Sequence, residues 1–325
     1  MEVGQAPAAG GSEDGGEEAP DNCCVVDAEK EEAEDGLDLP LSLEGLMTSK
    51  PDSEPGWGSQ YRVVAAEKWK AKSAAMGQPV TDALVEYAQP APGMNVLDLA
   101  SGTGEPAISL ALRVGTEGHV TALDLSAELL QIAAQRAQAR GLNNFTTQAA
   151  DAHSLPFPDN SFDLATSRFG VMFFRDVGLA LRELRRVLRS GARACFLAWG
   201  SFDQPYWQSM IGVAHKHAGG PLLEPGGPDP FRFADPGSLS AVLRSSGFVD
   251  VEEEVKTLPW SWPGPVEEVW EQVQAVSVPF RAVFERVPAE QWPRIHAEVH
   301  ESVRRYFDGE KVAFGASVVL ASGRK

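Results

Sequence analysis

The chain has 325 residues, which is long enough to bury a substantial core in one large domain or two small ones. Its formal net charge is −18 at pH 7, and residues 1–55 carry most of it, with 16 acidic and two basic residues. The rest of the chain is nearly balanced and has no basic stripe, which argues against nucleic acid as a tight partner. No apolar run approaches the roughly 20 residues of a membrane helix.

Residues 1–55 are rich in Gly, Glu, Asp, Ala and Pro and poor in aromatic residues, so we predict a disordered acidic tail. An acidic docking segment for a partner is the alternative. The tail lacks the basic start and apolar block of a secretory signal. Cys23 and Cys24 are adjacent in it, and Cys195 lies in an apolar run, so we expect reduced thiols, no metal site and a cytosolic protein.

From residue 60 onward the chain alternates between amphipathic helices and short β-rich runs. Residues 60–89 predict two helices, separated by a break at Gly77 to Pro79. The strands predicted after them are 96–99, 118–124, 145–149, 162–167, 192–199, 248–258 and 312–322. Helices are predicted between them, starting at Ala107, Ser126 and Asp176 and covering 207–217 and 236–246, with Gly191 ending the third. This alternation predicts a parallel sheet with helices on both faces.

The first predicted strand ends in a glycine turn, and two ligands suit such a turn. Gly102 to Ala107 fits the pattern G-x-G-x-x-A, and Asp124 follows about 20 residues later, as in a dinucleotide site. That motif is weak by itself. Asp98 beneath the turn, Glu105 within it and Asp151 after the third strand are acids that a pyrophosphate does not need.

S-adenosylmethionine is the second ligand, and it carries a sulfonium and an ammonium but no phosphate. Asp98 can attract the ammonium, and Gly102 and Gly104 let the backbone approach the cofactor. Asp124 can accept both ribose hydroxyls, and Asp151 can accept the adenine amino group. S-adenosylmethionine therefore accounts for each of the three acids by one part of the ligand, whereas a dinucleotide leaves two of them without a role.

At these residues the sequence resembles the class I S-adenosylmethionine-dependent methyltransferases. Residues 95–111 are similar to the first motif of that family, 120–126 to the second, 149–170 to the third and fourth, and 181–200 to the helix and strand that follow. The resemblance is closest to the branch of ubiquinone and menaquinone methyltransferases and their small-molecule relatives. Ala100 stands where the family usually has glycine.

The resemblance implies a Rossmann-like α/β fold: a doubly wound, seven-stranded, mostly parallel sheet with the last strand antiparallel, plus helical lid insertions. It implies one methyltransferase domain over 56–325, with N-terminal helices at 56–93, a cofactor-binding core at 94–200 and lid insertions at 201–234 and 259–308. The cofactor-binding residues that it implies are Asp98, Ala100, Gly102, Gly104, Asp124, Leu125, Asp151, Ala152 and Arg168.

The acceptor site is expected among aromatic residues of the N-terminal helices and the insertions. These are Trp57, Trp69, Tyr206, Trp207, Phe231, Phe233, Trp260 and Trp262, which either line an apolar pocket or pack as core. The candidate bases are His153, His215, His217 and Tyr206, and none of them is assigned. Arg168 could hold an acidic or carbonyl-bearing substrate, the cofactor carboxylate, or a structural salt bridge.

The end of the fourth strand excludes one class of acceptor. Residues 166–170 read Thr-Ser-Arg-Phe-Gly, where methylases of planar amino groups carry Asn/Asp-Pro-Pro-aromatic. The sequence therefore predicts S-adenosylmethionine-dependent methyl transfer to a small, apolar or aromatic molecule, giving S-adenosylhomocysteine. An NAD(P)-dependent oxidoreductase and a non-catalytic cofactor-binding regulatory subunit are the alternatives.

Overall fold

A computed structural model describes residues 68–325, so the predicted acidic tail, Trp57 and the start of the predicted N-terminal helices lie outside the described residues. The strands are β1 (Asn95–Leu99), β2 (His119–Asp124), β3 (Phe145–Ala149), β4 (Phe162–Arg168), β5 (Leu188–Trp199), β6 (Val249–Trp262) and β7 (Val312–Arg324). The helices are α1 (Lys70–Ala88), α2 (Ala107–Val114), α3 (Ala127–Ala139), α4 (Val177–Val187), α5 (Pro205–Gln208), α6 (Ile211–Ala218), α7 (Ser238–Ser245), α8 (Val266–Val276), α9 (Arg281–Arg286) and α10 (Trp292–Arg304).

The seven strands form one sheet in the order β3-β2-β1-β4-β5-β7-β6. Strands β1 to β5 pair in parallel, and β7 is antiparallel to both of its neighbours, β5 and β6. This confirms the predicted mostly parallel sheet with an antiparallel last strand. The strand order reverses between β1 and β4, and ligands bind at such a switch point, outside the carboxyl ends of the strands.

The central strands and their helices follow from the apolar pattern. Val96, Leu97 and Leu99 of β1 are 0–1% exposed, as expected for a strand covered on both faces. Helices α3 and α4 begin as predicted: the side chains of Ser126 and Asp176 accept hydrogen bonds from backbone N–H groups three residues later. The caps and the buried strand place the helix N-termini at the carboxyl edge of the sheet.

The N-terminal helix differs from the prediction, because α1 continues through Gly77 and Pro79 without a break. A proline inside a helix costs about 3 kcal/mol, since it lacks the N–H group and its ring crowds the preceding turn. Val80 and Leu84 lie beyond the proline on the same helix and are fully buried in the hydrophobic core. The packing of this face offsets the cost, so tertiary contact overrides the local signal.

Two further boundaries move because strand pairing extends beyond the predicted runs. Helix α4 ends at Val187 rather than at Gly191, since Leu188 already pairs with Phe162 of β4. The pairing of β6 with β7 continues to Trp262, so the second predicted insertion, 259–308, begins with residues that belong to the sheet.

The single helix predicted over 207–217 is two helices, α5 and α6.

Candidate functional site

The turn between β1 and α2 requires glycine at two positions for different reasons. Gly104 has a φ of +111°, and a Cβ built on it would lie 2.7 Å from Cδ1 of Ile108 and 3.2 Å from Cβ of Ala133. Gly102 has a φ of +52°, and a Cβ there would meet nothing within 4 Å. Gly104 therefore lets α2 approach α3, whereas Gly102 leaves open space above the turn.

Ala100 adopts a left-handed conformation, with a φ of +55°, at the position where the resemblance led us to expect glycine. Its Cβ is accommodated by Gly170, just after β4, because a Cβ added to Gly170 would lie only 2.4 Å from that of Ala100. Phe169 beside it also has a positive φ, of 57°. Strained backbone thus occurs at the ends of both strands that flank the switch point. The sequence analysis missed Gly170, since its partner lies 70 residues earlier.

Asp98 lies beneath the turn and is fully buried. Its Oδ1 accepts a hydrogen bond of 2.6 Å from the Thr166 hydroxyl, and its Oδ2 accepts one of 2.7 Å from the Ser101 hydroxyl. Burial raises the pKa of Asp98 to about 7, although these two hydrogen bonds and the charge of Arg168 act to lower it. The carboxyl group is therefore poised to ionise when a cationic group comes near.

Asp124 ends β2 and connects the glycine turn to the start of α3. Its Oδ2 accepts a hydrogen bond of 2.9 Å from the Gly102 backbone N–H, and its Oδ1 accepts one of 2.9 Å from the Ser126 N–H. A carboxylate oxygen has two lone pairs, so both oxygens keep acceptor capacity. The next residue, Leu125, is 66% exposed, an unusual exposure for a leucine at a strand end.

Asp151 follows β3 and is held by His153. It accepts hydrogen bonds from the backbone N–H and from Nδ1 of His153, at 2.9 and 2.5 Å. Burial acts to raise the pKa of Asp151, but the hydrogen bonds from His153 outweigh it, so the pKa lies below its ordinary value. Nε2 of His153 accepts the N–H of Asp176 at 3.1 Å, so both ring nitrogens are engaged and this candidate base instead orients Asp151. Ala152, between them, is buried.

Arg168 is the last residue of β4, next to the strained Phe169. Its Nη1 donates hydrogen bonds to the Thr81 hydroxyl, at 2.5 Å, and to the Gly77 carbonyl oxygen, at 3.4 Å, both on α1. Within residues 68–325 no carboxylate forms an ion pair with it, so the salt bridge considered from the sequence is not seen there.

The hydrogen-bond partners of His215 and His217 lie outside the glycine turn. Nε2 of His215 is 2.9 Å from the Gly220 carbonyl oxygen, and Nε2 of His217 is 2.8 Å from a carboxylate oxygen of Glu298. Because these oxygens only accept, each histidine donates from Nε2 and its Nδ1 keeps acceptor capacity. Tyr206 is buried, and burial raises its pKa well above the ordinary value.

Aromatic rings form one cluster past the carboxyl ends of β4 and β5. Trp199 stacks on Phe169 with 4.4 Å between the ring centroids and on Tyr206 with 5.9 Å, and the Trp260 ring meets its edge at 5.2 Å. Trp207 adjoins Trp199 and leads on to Phe231. The sequence analysis missed Phe169 and Trp199, because their role depends on strand neighbours.

The remaining predicted aromatic residues lie elsewhere. Trp69 and Trp262 form a separate pair, with 6.5 Å between ring centroids, and Phe233 is buried beside Arg232. In the described part of the chain, no cluster of three or more His, Cys, Asp or Glu side chains is arranged to hold a metal ion. No helix among residues 68–325 has the length and apolar character needed to cross a membrane.

The strand order, mostly parallel with β7 antiparallel, and the glycine turn at the switch point are those of the Rossmann-like α/β fold that the resemblance implies. In agreement, residues 97–196 match a protein-family model described as a methyltransferase domain. Residues 97–196 thus match a methyltransferase domain, in agreement with the resemblance seen in the sequence.

Two curated relatives each match a part of the chain. A segment of 127 residues is 47% identical to the ubiquinone/menaquinone biosynthesis C-methyltransferase of Xanthomonas oryzae, covering 39% of this chain and 50% of that protein. A segment of 125 residues is 35% identical to the demethylmenaquinone methyltransferase of Listeria welshimeri, covering 38% of this chain and 53% of that protein. The chain spans about half the length of the curated relatives it matches.

A solved structure shows a likeness in fold. It is that of a protein from Bacillus halodurans C-125 assigned as a methyltransferase, with a TM-score of 0.50 and 19% identity over 75% of this chain and 98% of that one.

Proposed function

We propose that this protein transfers the methyl group of S-adenosylmethionine to a small, apolar or aromatic molecule and releases S-adenosylhomocysteine. The observation that carries the proposal is the set of acids around an open glycine turn: Asp98 near the end of β1, Asp124 at the end of β2 and Asp151 just after β3. Three carboxyl groups at one edge of the sheet suit a cationic nucleoside and oppose a pyrophosphate.

The side chains present match the parts of this cofactor. Asp124 keeps acceptor capacity on both oxygens for the two ribose hydroxyls, and the exposed Leu125 offers an apolar surface to a planar base. Asp151, oriented by His153, can accept the adenine amino group. Asp98 supplies a buried negative charge for the ammonium, and the space above Gly102 lets the cofactor approach the backbone.

In this proposal the chain contributes binding and orientation. The cofactor supplies a methyl group already activated on a sulfonium, so in-line placement of the acceptor accounts for much of the rate enhancement. The candidate bases engage other partners or lie buried, so no proton transfer is assigned to them.

The acceptor class is inferred from the aromatic cluster and from the relatives. Phe169 is partly exposed at the end of β4 and stacks on Trp199, so a flat apolar molecule could pack beside these rings. The relatives are named for ubiquinone and menaquinone biosynthesis, which supports a ring-bearing small molecule as the acceptor.

The division into a core at 94–200 and lids at 201–234 and 259–308 is part of the same proposal, with the aromatic residues of the lids completing the acceptor site. A cytosolic location is also proposed, since Cys195 is a buried free thiol of the kind found in reducing compartments.

Calorimetric titration of the full chain with S-adenosylhomocysteine tests the proposal, with NADPH titrated in parallel. We expect binding of the first ligand and none of the second. Binding of NADPH alone would support the oxidoreductase, and a folded protein that binds neither ligand would contradict a cofactor site at this turn. Transfer of labelled methyl groups into a metabolite extract then separates an enzyme from a regulatory subunit, which would bind the cofactor without turnover.

A further inference from the structure

Strand β6 lies at one edge of the sheet and has 14 residues, which is long for a strand of a globular protein. It pairs with β7 on its inner side, and no other described strand pairs with its outer side. An edge strand presents a row of N–H and C=O groups to a further chain, and proteins normally protect such a row. The outer side of β6 is protected near both ends and is open between them.

The strand register shows which backbone groups of β6 point outward. The Ser317 carbonyl oxygen of β7 accepts a hydrogen bond from the Gly200 N–H next to β5, so the odd-numbered residues of β7 face β5 and the even-numbered ones face β6. From Glu252 onward, even-numbered residues of β6 pair with even-numbered residues of β7. The backbone groups of alternate residues point to opposite sides of a strand, so those of Val255 and Pro259 point outward.

Two different features protect the ends of this outward row. Pro259 has no N–H, so a further strand finds no donor there. Near the other end, Nη2 of Arg244 donates a hydrogen bond of 3.2 Å to the Val251 carbonyl oxygen, and the register of β6 with β7 shifts just before Glu252. Residues 252–258 lie between these two features and are called the open segment. Val255 is its midpoint.

The side chains of the open segment complement a second copy of the same segment. Val255 is 53% exposed, although it is an apolar residue in the middle of a strand. Glu254 and Lys256 flank it on one face of the strand, since Oε1 of Glu254 is 2.7 Å from Nζ of Lys256. Glu253 is turned toward α7, where its carboxylate accepts the Ser240 N–H at 2.7 Å. One acid and one base therefore stand at equal distances from the midpoint.

We propose that two copies of this chain pair through β6, antiparallel and with a twofold axis at Val255. In that register Val255 lies opposite Val255 of the second copy, and their outward N–H and C=O groups bond each other. Glu254 lies opposite Lys256 of the second copy and Lys256 opposite its Glu254, which gives two ion pairs across the axis. The contact uses the same edge of both copies, so it ends at a dimer and leaves no edge for further growth.

The size of the open segment sets the expected affinity. At about 3.4 Å per residue it spans about 24 Å, so the contact is short and lacks a large apolar core. Asp250 and Glu252 add negative charge near one end, which also limits the affinity. We therefore expect a reversible dimer with a Kd on the order of 10 µM rather than an obligate one.

Sedimentation equilibrium of the full chain over about 1–200 µM measures this Kd. Val255→Lys places two ammonium groups at the axis and should weaken the dimer at least about 10-fold. Val249→Lys is the matched control, because Val249 is a valine of the same strand with 55% exposure that lies outside the open segment. The control should leave the Kd unchanged.

Exchange of the two charges tests the register. Glu254→Lys and Lys256→Glu each place like charges opposite one another at two positions, so each variant alone should dimerise at least about 10-fold more weakly. An equimolar mixture of the two variants should form a heterodimer with a Kd near that of the parent, because opposite charges again face each other across the axis. The mixture repairs no contact within either chain, so its recovery reports pairing between copies and not folding.

Three results would overturn the proposal. A parent that stays monomeric at about 200 µM would show that the edge is covered by another segment of this chain or takes a different partner. A dimer that Val255→Lys leaves unchanged would show that another surface holds the copies together. A mixture of the two charge variants that does not recover would exclude the antiparallel register about Val255.

Discussion

Replacing Asp98 by asparagine is expected to weaken cofactor binding while making the ligand-free protein more stable at alkaline pH. The side chain is fully buried, and this burial raises the pKa of Asp98 to about 7, well above its ordinary value of 3.8. A carboxyl group with a higher pKa in the folded state binds more protons when folded, so stability falls as the pH rises from about 4 to about 7. At a pH above this range, ionisation of the buried Asp98 lowers the free energy of unfolding by about 4 kcal/mol, since each unit of pKa difference corresponds to about 1.4 kcal/mol.

Asparagine has nearly the same shape and can still bond the hydroxyls of Thr166 and Ser101, but it does not ionise. Urea unfolding of the ligand-free protein should therefore show Asp98→Asn about 2–4 kcal/mol more stable than the parent at pH 8, with a smaller difference at pH 5. Calorimetry at pH 8 should show S-adenosylhomocysteine binding at least about 10-fold weaker, because the charge that faces the ammonium is gone.

Asp203→Asn is the matched control, since Asp203 is exposed to solvent and should change neither the stability nor its pH dependence. The reasoning would be refuted if Asp98→Asn were less stable than the parent at pH 8, or if the stability difference did not grow between pH 5 and pH 8.

The other predictions concern the turn and the aromatic cluster. Asp124→Ala removes the acceptor of the Gly102 N–H, so calorimetry should show that S-adenosylhomocysteine binds at least about 10-fold more weakly. A Kd within about twofold of the parent value would contradict a role of Asp124 in cofactor binding. Gly104→Ala should lower the free energy of unfolding in urea by about 2–4 kcal/mol, because the residue has a positive φ and its added Cβ would meet Ile108. Gly102→Ala, where the added Cβ meets nothing, should lower it by only about 1 kcal/mol. Equal losses of unfolding free energy in the two variants would contradict the role of packing at Gly104. Trp199→Ala should lower the free energy of unfolding by about 3–5 kcal/mol, because it leaves a cavity among the aromatic rings. A loss below about 1 kcal/mol would mean that the neighbouring aromatic side chains fill this cavity.

The cofactor side of the site could be predicted because its signals are local. The turn after β1 is visible as an apolar run, two glycines and a helical pattern. Asp124 ends one strand and Asp151 closely follows another. Parallel pairing brings the carboxyl ends of adjacent strands to one edge, so three separate local features become one site without further information.

The details of that site depend on residues far apart in the chain. The partner of Asp98 is Thr166, and the residue that makes room for Ala100 is Gly170. His153 was considered as a base, but its partners on two different segments show that it orients Asp151. No local pattern reveals such contacts.

The sequence by itself determined the class of fold and the acids and glycines of the cofactor site, because periodicity and turn chemistry act over a few residues. Only the tertiary structure decided that α1 runs through Pro79, that Trp199 and Phe169 join the predicted aromatic residues, and that Arg168 lacks an anionic partner among the described residues. Those outcomes depend on burial and on pairing between distant segments, whose free energies exceed the local preferences of the residues involved.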